Sequence, residues 1–332
     1  MDIVQLAFTE KSKTAIEHRS IFLSSRSQCL VKHDCTLISP GTETALFNGT
    51  HIGFSDPSIS WARYPVYPGY AAVGAVIEAN VDCDLAVGDQ VLYYGQHASH
   101  GVLDSSEMLW ARLPADTDLR PFLLGRFAQI AYSALAALHV IPRKVVVYGA
   151  GLVGNLCAQL MKTIPSVEQI SILDYSDRRL AIARECGIPG AKTAADLSYS
   201  ADTIVEATGS PAVVNDALTY IENRGQLILL GSSRGTAEVN FYKLVHRKLV
   251  TIIGAHETIL PPKKAVDGLF QPFVEWHSQQ DALDGLLHMV KDGTLVTRNF
   301  IQTVVLPGQV QTAFENLIDK PNDYLGVLID WR

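Results

Sequence analysis

The stretch Val145-Val-Val-Tyr-Gly-Ala-Gly-Leu-Val-Gly154 decides the fold of this chain. An apolar, β-branched run enters a Gly-x-Gly-x-x-Gly turn and a helical pattern leaves it, which is the strand–turn–helix unit that cradles a pyrophosphate. In such a turn Gly149 permits the sharp bend, Gly151 lets the backbone approach phosphate, and Gly154 lets the helix pack on the strand. The motif therefore predicts a dinucleotide site rather than a glycine-rich turn without a ligand.

An acidic residue completes the motif. A second apolar run, residues 170–173, ends on Asp174, twenty residues past the last glycine of the turn. A carboxylate at this place accepts hydrogen bonds from a ribose 2′-OH and repels a 2′-phosphate, so the pattern favours NAD over NADP. Arg178 and Arg179 act slightly in the opposite direction, because a cation attracts that phosphate.

Length and composition restrict the classes of protein that fit. A chain of 332 residues is long for one core and suits two domains. Its formal charge of −7, without runs of Lys or Arg, argues against nucleic acid or an anionic membrane as a partner. We find no apolar stretch of membrane-spanning length and no secretory leader pattern, and therefore expect a cytoplasmic protein. The five cysteines are scattered, which argues against a disulfide framework or a cysteine–zinc lobe.

The pattern of predicted secondary structure changes near residue 119. Before it, short β-like runs and turn signals predict a mostly β domain; after it, apolar strands alternate with helices, as in a parallel sheet covered on both faces. The tail from residue 296 returns to the β-like pattern. We predict one domain from residues 1–118 and 296–332 and an inserted domain from residues 119–295. The strands predicted in the insert are 144–148, 169–173, 202–207, 226–230 and 249–253.

Each of these strands runs out into small or polar residues. Ligands of doubly wound sheets lie beyond the carboxyl ends of the strands, so we expect those residues to line one crevice. The backbone N–H groups of Leu152 and Val153, at the start of the first helix, should face the pyrophosphate. Thr208 and Ser232, each just past a strand, should lie at the edges of the cofactor.

Taken together, this organisation resembles the medium-chain dehydrogenase/reductase superfamily of the alcohol dehydrogenase type, over essentially the whole chain. The resemblance implies a GroES-like, mostly β catalytic domain and an inserted Rossmann domain that binds NAD. It also matches Arg179 to a basic family residue that flanks the adenosine ribose, although a solvated helix charge is the alternative. The motifs that carry the resemblance are Ser39-Pro-Gly-Thr-Glu43, Tyr67-Pro-Gly-Tyr70, Val87-Gly-Asp-Gln-Val91, the glycine turn with Asp174, and Glu206-Ala-Thr-Gly209.

Three motifs look closest to a subgroup that includes bacteriochlorophyllide a dehydrogenase. They are Ser-Pro-Gly-Thr-Glu, Tyr-Pro-x-x-Pro-Gly-Tyr and the ending Ile329-Asp-Trp331. An enzyme of that kind interconverts a hydroxyethyl and an acetyl group. The resemblance therefore implies a secondary alcohol and a ketone on a cyclic or bulky biosynthetic intermediate.

The family's three zinc ligands are all replaced in this sequence. A Ser or Pro of the Ser39-Pro40 pair stands where the first Cys belongs, Tyr70 stands where a His belongs, and Arg126 falls by spacing on the third ligand. An arginine would repel a cation. We therefore expect no metal, and protein hydrogen bonds must handle the proton and the charge that develops on oxygen.

Three residues are candidates for that proton chemistry. Thr42 matches the family threonine that passes a proton from the substrate alcohol, but it could simply close a turn. Tyr70 could hydrogen-bond a carbonyl oxygen and serve as the acid, or it could fill the vacated metal cavity. His97 carries an imidazole, which is a natural acid or base, and lies on a loop that the resemblance places at the mouth of the cleft; a merely solvated histidine is the alternative.

The sequence thus predicts a zinc-independent, NAD-dependent alcohol dehydrogenase or ketone reductase with a small-molecule substrate. The resemblance also implies a homodimer. Two alternatives remain open: an NADPH-dependent enoyl or quinone reductase, and a non-catalytic NAD(H)-binding protein that retained the fold.

Overall fold

The structure, a computed structural model, describes residues 1–263 and 273–332. The chain folds into two compact units. The first unit comprises Met1–Arg126 and Thr297–Arg332, and the second comprises Phe127–Val296. The chain thus crosses at 126/127 and 296/297, compared with 118/119 and 295/296 in the prediction from sequence. None of the helices within the described residues is both long and apolar enough to span a membrane.

The described residues form strands and α-helices in the following order. The strands are β1 (Asp2–Glu10), β2 (Lys13–Ser20), β3 (Gln28–Leu37), β4 (Ala72–Ala79), β5 (Gln90–Tyr93), β6 (His100–Asp104), β7 (Trp110–Arg112), β8 (Lys144–Tyr148), β9 (Gln169–Leu173), β10 (Gly190–Ala191), β11 (Ala201–Glu206), β12 (Ile221–Leu229), β13 (Thr251–Gly254), β14 (Ile301–Val305) and β15 (Gly326–Asp330). The helices are α1 (Thr42–Phe47), α2 (Leu123–Ala136), α3 (Leu152–Lys162), α4 (Asp177–Glu185), α5 (Ala212–Tyr220), α6 (Gln279–Asp292) and α7 (Val310–Asp319).

The second unit is built on a parallel sheet with the strand order β10-β9-β8-β11-β12-β13. Counted from β8, this is the order 3-2-1-4-5-6 of a dinucleotide-binding fold. Val145, Val146 and Val147 of β8 are fully buried, because a central parallel strand is covered on both faces. The order reverses at β8, so the turns after β8, β9 and β11 meet at one edge of the sheet.

The first unit contains a mostly antiparallel sheet with the order β14-β15-β3-β4-β5-β7, in which β6 also pairs with β3. The C-terminal tail supplies β14 and β15, and β15 pairs with β3. Beside it, Phe8, Phe47 and Phe314 form an aromatic core with ring centroids 4.9–5.5 Å apart. Phe47 ends α1, so this packing anchors the helix that begins at Thr42. The predicted fold class, a doubly wound parallel sheet plus a mostly β domain, is confirmed.

Candidate functional site

The glycine turn of the second unit has the shape that its sequence predicts. Gly149 has a φ of +98°, and its N–H donates to the carbonyl of Leu173 at 2.7 Å, which ties the turn to β9. A Cβ on Gly154 would overlap the carbonyl oxygen of Gly149, so the helix passes too close for any side chain. A Cβ on Gly151 would meet no atom of the described residues within 4 Å. Open space therefore lies beside Gly151, where a ligand can approach the backbone.

The start of α3 leaves backbone donors for a ligand. Gly151 occupies the N-cap position, and no side chain from the described residues hydrogen-bonds there. The first N–H groups of a helix lack intrahelical acceptors, so those of Leu152 and Val153 remain to bind an anion. Leu152 is buried and Val153 half-buried, which holds this end of the helix firmly against the sheet.

Asp174 lies one residue past β9, and its buried carboxylate is fixed by backbone donors. Oδ2 accepts from the N–H of Ala150 and Oδ1 from the N–H of Ser176, both at 2.9 Å. The guanidinium of Arg179 stands 3.6 Å from Oδ2. The acid is thus bound to the glycine turn itself, and Arg179, predicted to flank the ribose, lies beside it.

The turn after β11 is organised by a second buried acid. Oε1 of Glu206 accepts from the backbone N–H groups of Thr208 and Gly209, at 2.6 and 3.0 Å, and from the hydroxyl of Thr208. Gly209 packs so closely on Ser232 that a Cβ would come within 2.7 Å of the Ser232 carbonyl. Thr208 and Ser232, both exposed, therefore lie at one edge of the sheet as predicted neighbours of a dinucleotide.

These features fit an NAD-type dinucleotide. The open space beside Gly151 and the uncapped start of α3 suit a pyrophosphate, and the fixed carboxylate of Asp174 suits a ribose diol. The fit rests on the shape of the backbone and on the donors that it presents.

The first unit contains a cluster of three hydroxyl groups, from Ser39, Thr42 and Tyr70. The phenol of Tyr70 donates to Oγ of Ser39 at 2.5 Å, and the side chain of Thr42 also hydrogen-bonds to it. Ser39 follows β3, Thr42 begins α1, and Tyr70 follows Gly69, whose φ of +108° turns the chain sharply before β4. The two candidates for proton chemistry, Thr42 and Tyr70, therefore lie together.

Burial and charge set the acidity of this phenol. Burial and the nearby Glu43 carboxylate raise the pKa of Tyr70 to about 12, while Arg126 and the hydrogen bonds from Ser39 and Thr42 lower it. The phenol therefore keeps its proton at neutral pH and can act as a donor.

Arg126 places a positive charge against this cluster. Its side chain is buried, at 3% exposure, and Cζ lies 5.0 Å from the ring centroid of Tyr70 and 4.0 Å from that of Tyr94. A desolvated cation over aromatic faces is stabilised by about 2 kcal/mol. The guanidinium is thus held next to the phenol on the inside of the unit.

The expectation that His97 lies at the mouth of a cleft is wrong. His97 is fully buried, with Nε2 2.7 Å from Oε2 of Glu43 and Nδ1 2.7 Å from Oγ1 of Thr36. Both ring nitrogens are engaged, because the loop after β5 folds inward onto the sheet. A catalytic role for His97 stays a prediction, and the geometry limits it to action through these partners.

No protein-family model matches this sequence. The chain is 29% identical over 145 residues to the uncharacterized zinc-type alcohol dehydrogenase-like protein YdjJ of Escherichia coli, a match that spans 40% of this chain and 42% of that protein. It is 24% identical over 311 residues to 2-desacetyl-2-hydroxyethyl bacteriochlorophyllide A dehydrogenase of Cereibacter sphaeroides, covering 89% of this chain and 87% of that protein.

Solved structures share the fold over the whole chain. An alcohol dehydrogenase from Escherichia coli, complexed with NADH, superposes with a TM-score of 0.79 at 16% identity and 99% coverage of both chains. A dehydrogenase from Sinorhizobium meliloti, bound to NADP, superposes with a TM-score of 0.74 at 14% identity and 99% coverage of both chains. The chain is therefore similar in sequence and fold to alcohol dehydrogenase-like members of the medium-chain dehydrogenase/reductase superfamily. The sequence relatives support an alcohol dehydrogenase-like oxidoreductase.

The donors at this site do not fit a zinc ion. The three positions that the resemblance assigned to zinc ligands do meet: Tyr70 bonds Ser39, and Arg126 stacks on Tyr70. They offer a hydroxyl, a phenol and a guanidinium, whereas zinc prefers thiolate, imidazole and carboxylate. The described part of the chain also contains no group of three or more His, Cys, Asp and Glu side chains placed to hold a metal.

Three residues of this site have no role in the sequence-based prediction. Glu43 and Trp331 stand in motifs quoted above, yet the motifs do not indicate that Glu43 contacts His97 or that Trp331 contacts Thr36, the other partner of His97. Thr36 gives no signal at all within β3. Their roles depend on contacts between residues far apart in the chain, and a single sequence carries no information on such pairing.

Proposed function

We propose that the chain is a zinc-independent, NAD(H)-dependent oxidoreductase that interconverts a secondary alcohol and a ketone. The observation that carries this proposal is the phenol of Tyr70, hydrogen-bonded to Ser39 and Thr42 at the place where related enzymes have a metal ligand. A donor hydroxyl at that place replaces the ion in handling the oxygen of the substrate.

The second unit binds the cofactor in this proposal. A bound nicotinamide cofactor would supply the acceptor for a hydride in alcohol oxidation and the hydride donor in ketone reduction. Leu152 and Val153 bind the pyrophosphate through their N–H groups, and Asp174 binds the adenosine ribose. The carboxylate of Asp174 repels a 2′-phosphate, which supports NAD over NADP, while Arg179 reduces that repulsion.

The first unit manages the proton. In reduction, the phenol of Tyr70 donates its proton to the carbonyl oxygen, and Thr42 and Ser39 stabilise the phenolate by hydrogen bonds. In oxidation, the proton leaves the alcohol oxygen and returns along the same hydroxyl groups. Arg126 favours the reduction electrostatically, because its charge stabilises the phenolate that remains after Tyr70 has donated its proton.

The substrate class follows from the resemblance and from one relative. The similarity to the bacteriochlorophyllide dehydrogenase of Cereibacter sphaeroides supports a secondary alcohol on a cyclic or bulky biosynthetic intermediate. Homodimer formation and a cytoplasmic location stay predictions from the sequence.

The test measures binding and hydride transfer separately. NADH and NADPH are titrated by fluorescence, and the oxidation of each is then followed with cyclic ketones, open-chain ketones and enones. We expect tighter binding of NADH and turnover with ketones that survives exhaustive treatment with a chelator. Asp174→Ala should weaken NADH binding and reduce the difference in affinity between NADH and NADPH. Asp177→Ala is the matched control, since this exposed acid pairs with Lys192 instead.

Other outcomes would favour the alternatives. Turnover of enones with NADPH, and not of ketones with NADH, would favour an enoyl or quinone reductase. Tight NADH binding without hydride transfer to any substrate tested would favour a non-catalytic, cofactor-binding protein. If chelation abolished turnover and added zinc restored it, Tyr70 would not have the proposed role of replacing the ion.

A further inference from the structure

Glu43 and His97 form a buried acid–imidazole pair inside the first unit. Their side chains are 1% and 0% exposed, and Oε2 of Glu43 lies 2.7 Å from Nε2 of His97. A buried charge requires a partner, and a buried carboxylate is stabilised when an N–H donates to it. Oε1 of Glu43 has no hydrogen-bond partner within residues 1–263 and 273–332. Such an arrangement costs stability, which points to a functional reason for retaining it.

A second layer of hydrogen bonds supports the imidazole. Nδ1 of His97 lies 2.7 Å from Oγ1 of Thr36, and the indole N–H of Trp331 donates to the same oxygen at 2.9 Å. A threonine hydroxyl both donates and accepts, so it can pair with His97 whether or not Nδ1 carries a proton. The C-terminal strand thereby helps to fix the ring through Trp331.

The pair connects the two chain segments that carry the proposed proton chemistry. The first of these segments is the start of α1, where Glu43 directly follows Thr42. The second segment is the turn before β4: the N–H of His97 donates to the carbonyl of Pro68 at 2.9 Å, two residues before Tyr70. The turn at Gly69 packs so closely that a Cβ there would overlap the backbone of His97. The pair thus ties the start of α1 to the turn that presents Tyr70.

We propose that Glu43 and His97 are a positioning pair, which holds the hydroxyls of Thr42 and Tyr70 in contact for proton transfer. The proposal rests on the function proposed above and adds residues for which the superfamily resemblance assigns no such role. Neither side chain touches substrate in this role; both act through α1 and the Pro68-Gly69-Tyr70 turn. Trp331 and Thr36 extend the positioning to the C-terminal strand.

The carboxylate also acts on the phenol through space. Among the described residues, the charged groups that act on Tyr70 are Glu43 from α1 and Arg126 from α2. The loop after β5 adds Tyr94, which contacts Arg126, and His97, which pairs with Glu43. The charge of Glu43 raises the pKa of Tyr70, because a nearby anion disfavours the phenolate. Removal of the Glu43 charge must therefore lower the pKa of Tyr70.

One experiment follows the phenol directly and needs no substrate. The protein is labelled with ¹³Cζ-tyrosine, the Tyr70 signal is assigned by its loss in Tyr70→Phe, and its titration is followed by NMR. In Glu43→Gln, which keeps the shape and removes the charge, we expect the Tyr70 midpoint to fall by about one pH unit or more. An unchanged midpoint in folded Glu43→Gln would overturn the proposal.

A second experiment separates positioning from general stability. His97→Gln breaks the pair, and Glu43→Asp keeps the charge but shortens the reach to His97. Both should lower kcat by about tenfold to a hundredfold, as small displacements of reacting groups do, with the Kd of NADH unchanged. His33→Gln is the matched control, because His33 is equally buried in the same sheet and bonds Tyr93 and Ala98 instead.

The outcomes distinguish this proposal from the proposed function. Equal losses of kcat in His97→Gln and His33→Gln would show that the pair is merely structural. An inactive wild-type protein would contradict the proposed function, and the NMR titration would then decide alone whether the pair acts on Tyr70.

Discussion

The residues of the glycine turn differ in why they must be glycine. At Gly154 the constraint lies inside the fold, because the carbonyl of Gly149 occupies the place of a Cβ. At Gly151 the space is open among the described residues, and in the proposed function the cofactor pyrophosphate fills it. A substitution at Gly151 should therefore affect mainly cofactor affinity, and a substitution at Gly154 mainly stability, although the motif requires glycine at both positions.

Gly151→Ala and Gly154→Ala test this separation. We expect Gly151→Ala to unfold at the wild-type denaturant midpoint but to bind NADH at least about tenfold more weakly, a loss of about 1.4 kcal/mol. Gly154→Ala should lower the free energy of unfolding by about 1–3 kcal/mol, as overpacking does. Chemical denaturation and fluorescence titration measure the two effects. Normal NADH binding by a stable Gly151→Ala would contradict the assignment of the cradle.

The phenol of Tyr70 gives a second prediction at the scale of single residues. Tyr70→Phe removes the donor but keeps the ring on which Arg126 stacks. If the phenol is the general acid, kcat should fall by about 10²–10⁴-fold, while NADH affinity stays unchanged. Tyr67→Phe is the control from the same motif, since the Tyr67 hydroxyl bonds Glu17 at 3.1 Å. A similar kcat in the two variants would exclude Tyr70 as the acid.

At the scale of elements, local signals were sufficient where a pattern is continuous. β8 and β9 have the predicted bounds because each is a short, mostly apolar run that ends at a clear stop, Gly149 after β8 and Asp174 after β9. The prediction that a strand begins at Leu249 is wrong: this residue has a φ of +56°, and β13 begins at Thr251. β10 has two residues and leaves no pattern in the sequence.

The site shows the same division between local and distant information. The motif resemblance was sufficient to predict that Thr42 and Tyr70 belong to one site. It was not sufficient for His97, whose partner Glu43 lies 54 residues away in the chain. A histidine beside small residues in a loop pattern suggests exposure, and only the pairing of strands reveals that the loop turns inward.

His33 gives a prediction for the sheet of the first unit. It lies in β3, and burial lowers its pKa to about 4. The unfolded chain therefore binds a proton that the folded unit does not, and stability present above pH ~6.5 is lost as the pH falls toward ~4. The shift corresponds to about 3 kcal/mol. Urea unfolding should show a shallower dependence on pH across this range in His33→Gln than in the wild type, and equal slopes would contradict the assignment.

At the scale of the whole molecule, the chain has the architecture of alcohol dehydrogenase-like structures but different side chains at the positions that the resemblance assigns to zinc ligands. Solved structures superpose over 99% of the chain, yet the three positions that the resemblance assigns to zinc ligands hold Ser39 or Pro40, Tyr70 and Arg126. A buried guanidinium beside those positions would repel a divalent cation by several kcal/mol at protein dielectric constants. In the proposed function, the charge of Arg126 takes the electrostatic role that an ion has in zinc enzymes.

Metal content tests this substitution directly. We expect tag-free, active protein to contain well below one equivalent of zinc per chain, and prolonged treatment with a chelator to leave kcat unchanged. Arg126→Met, which removes the cation and keeps the bulk, should lower kcat because the phenolate of Tyr70 loses its stabilising charge. The same variant should raise the pH at which Tyr70 titrates, as removal of a nearby cation does. One zinc per chain together with chelator-sensitive turnover would show that the ion is retained on donors other than these.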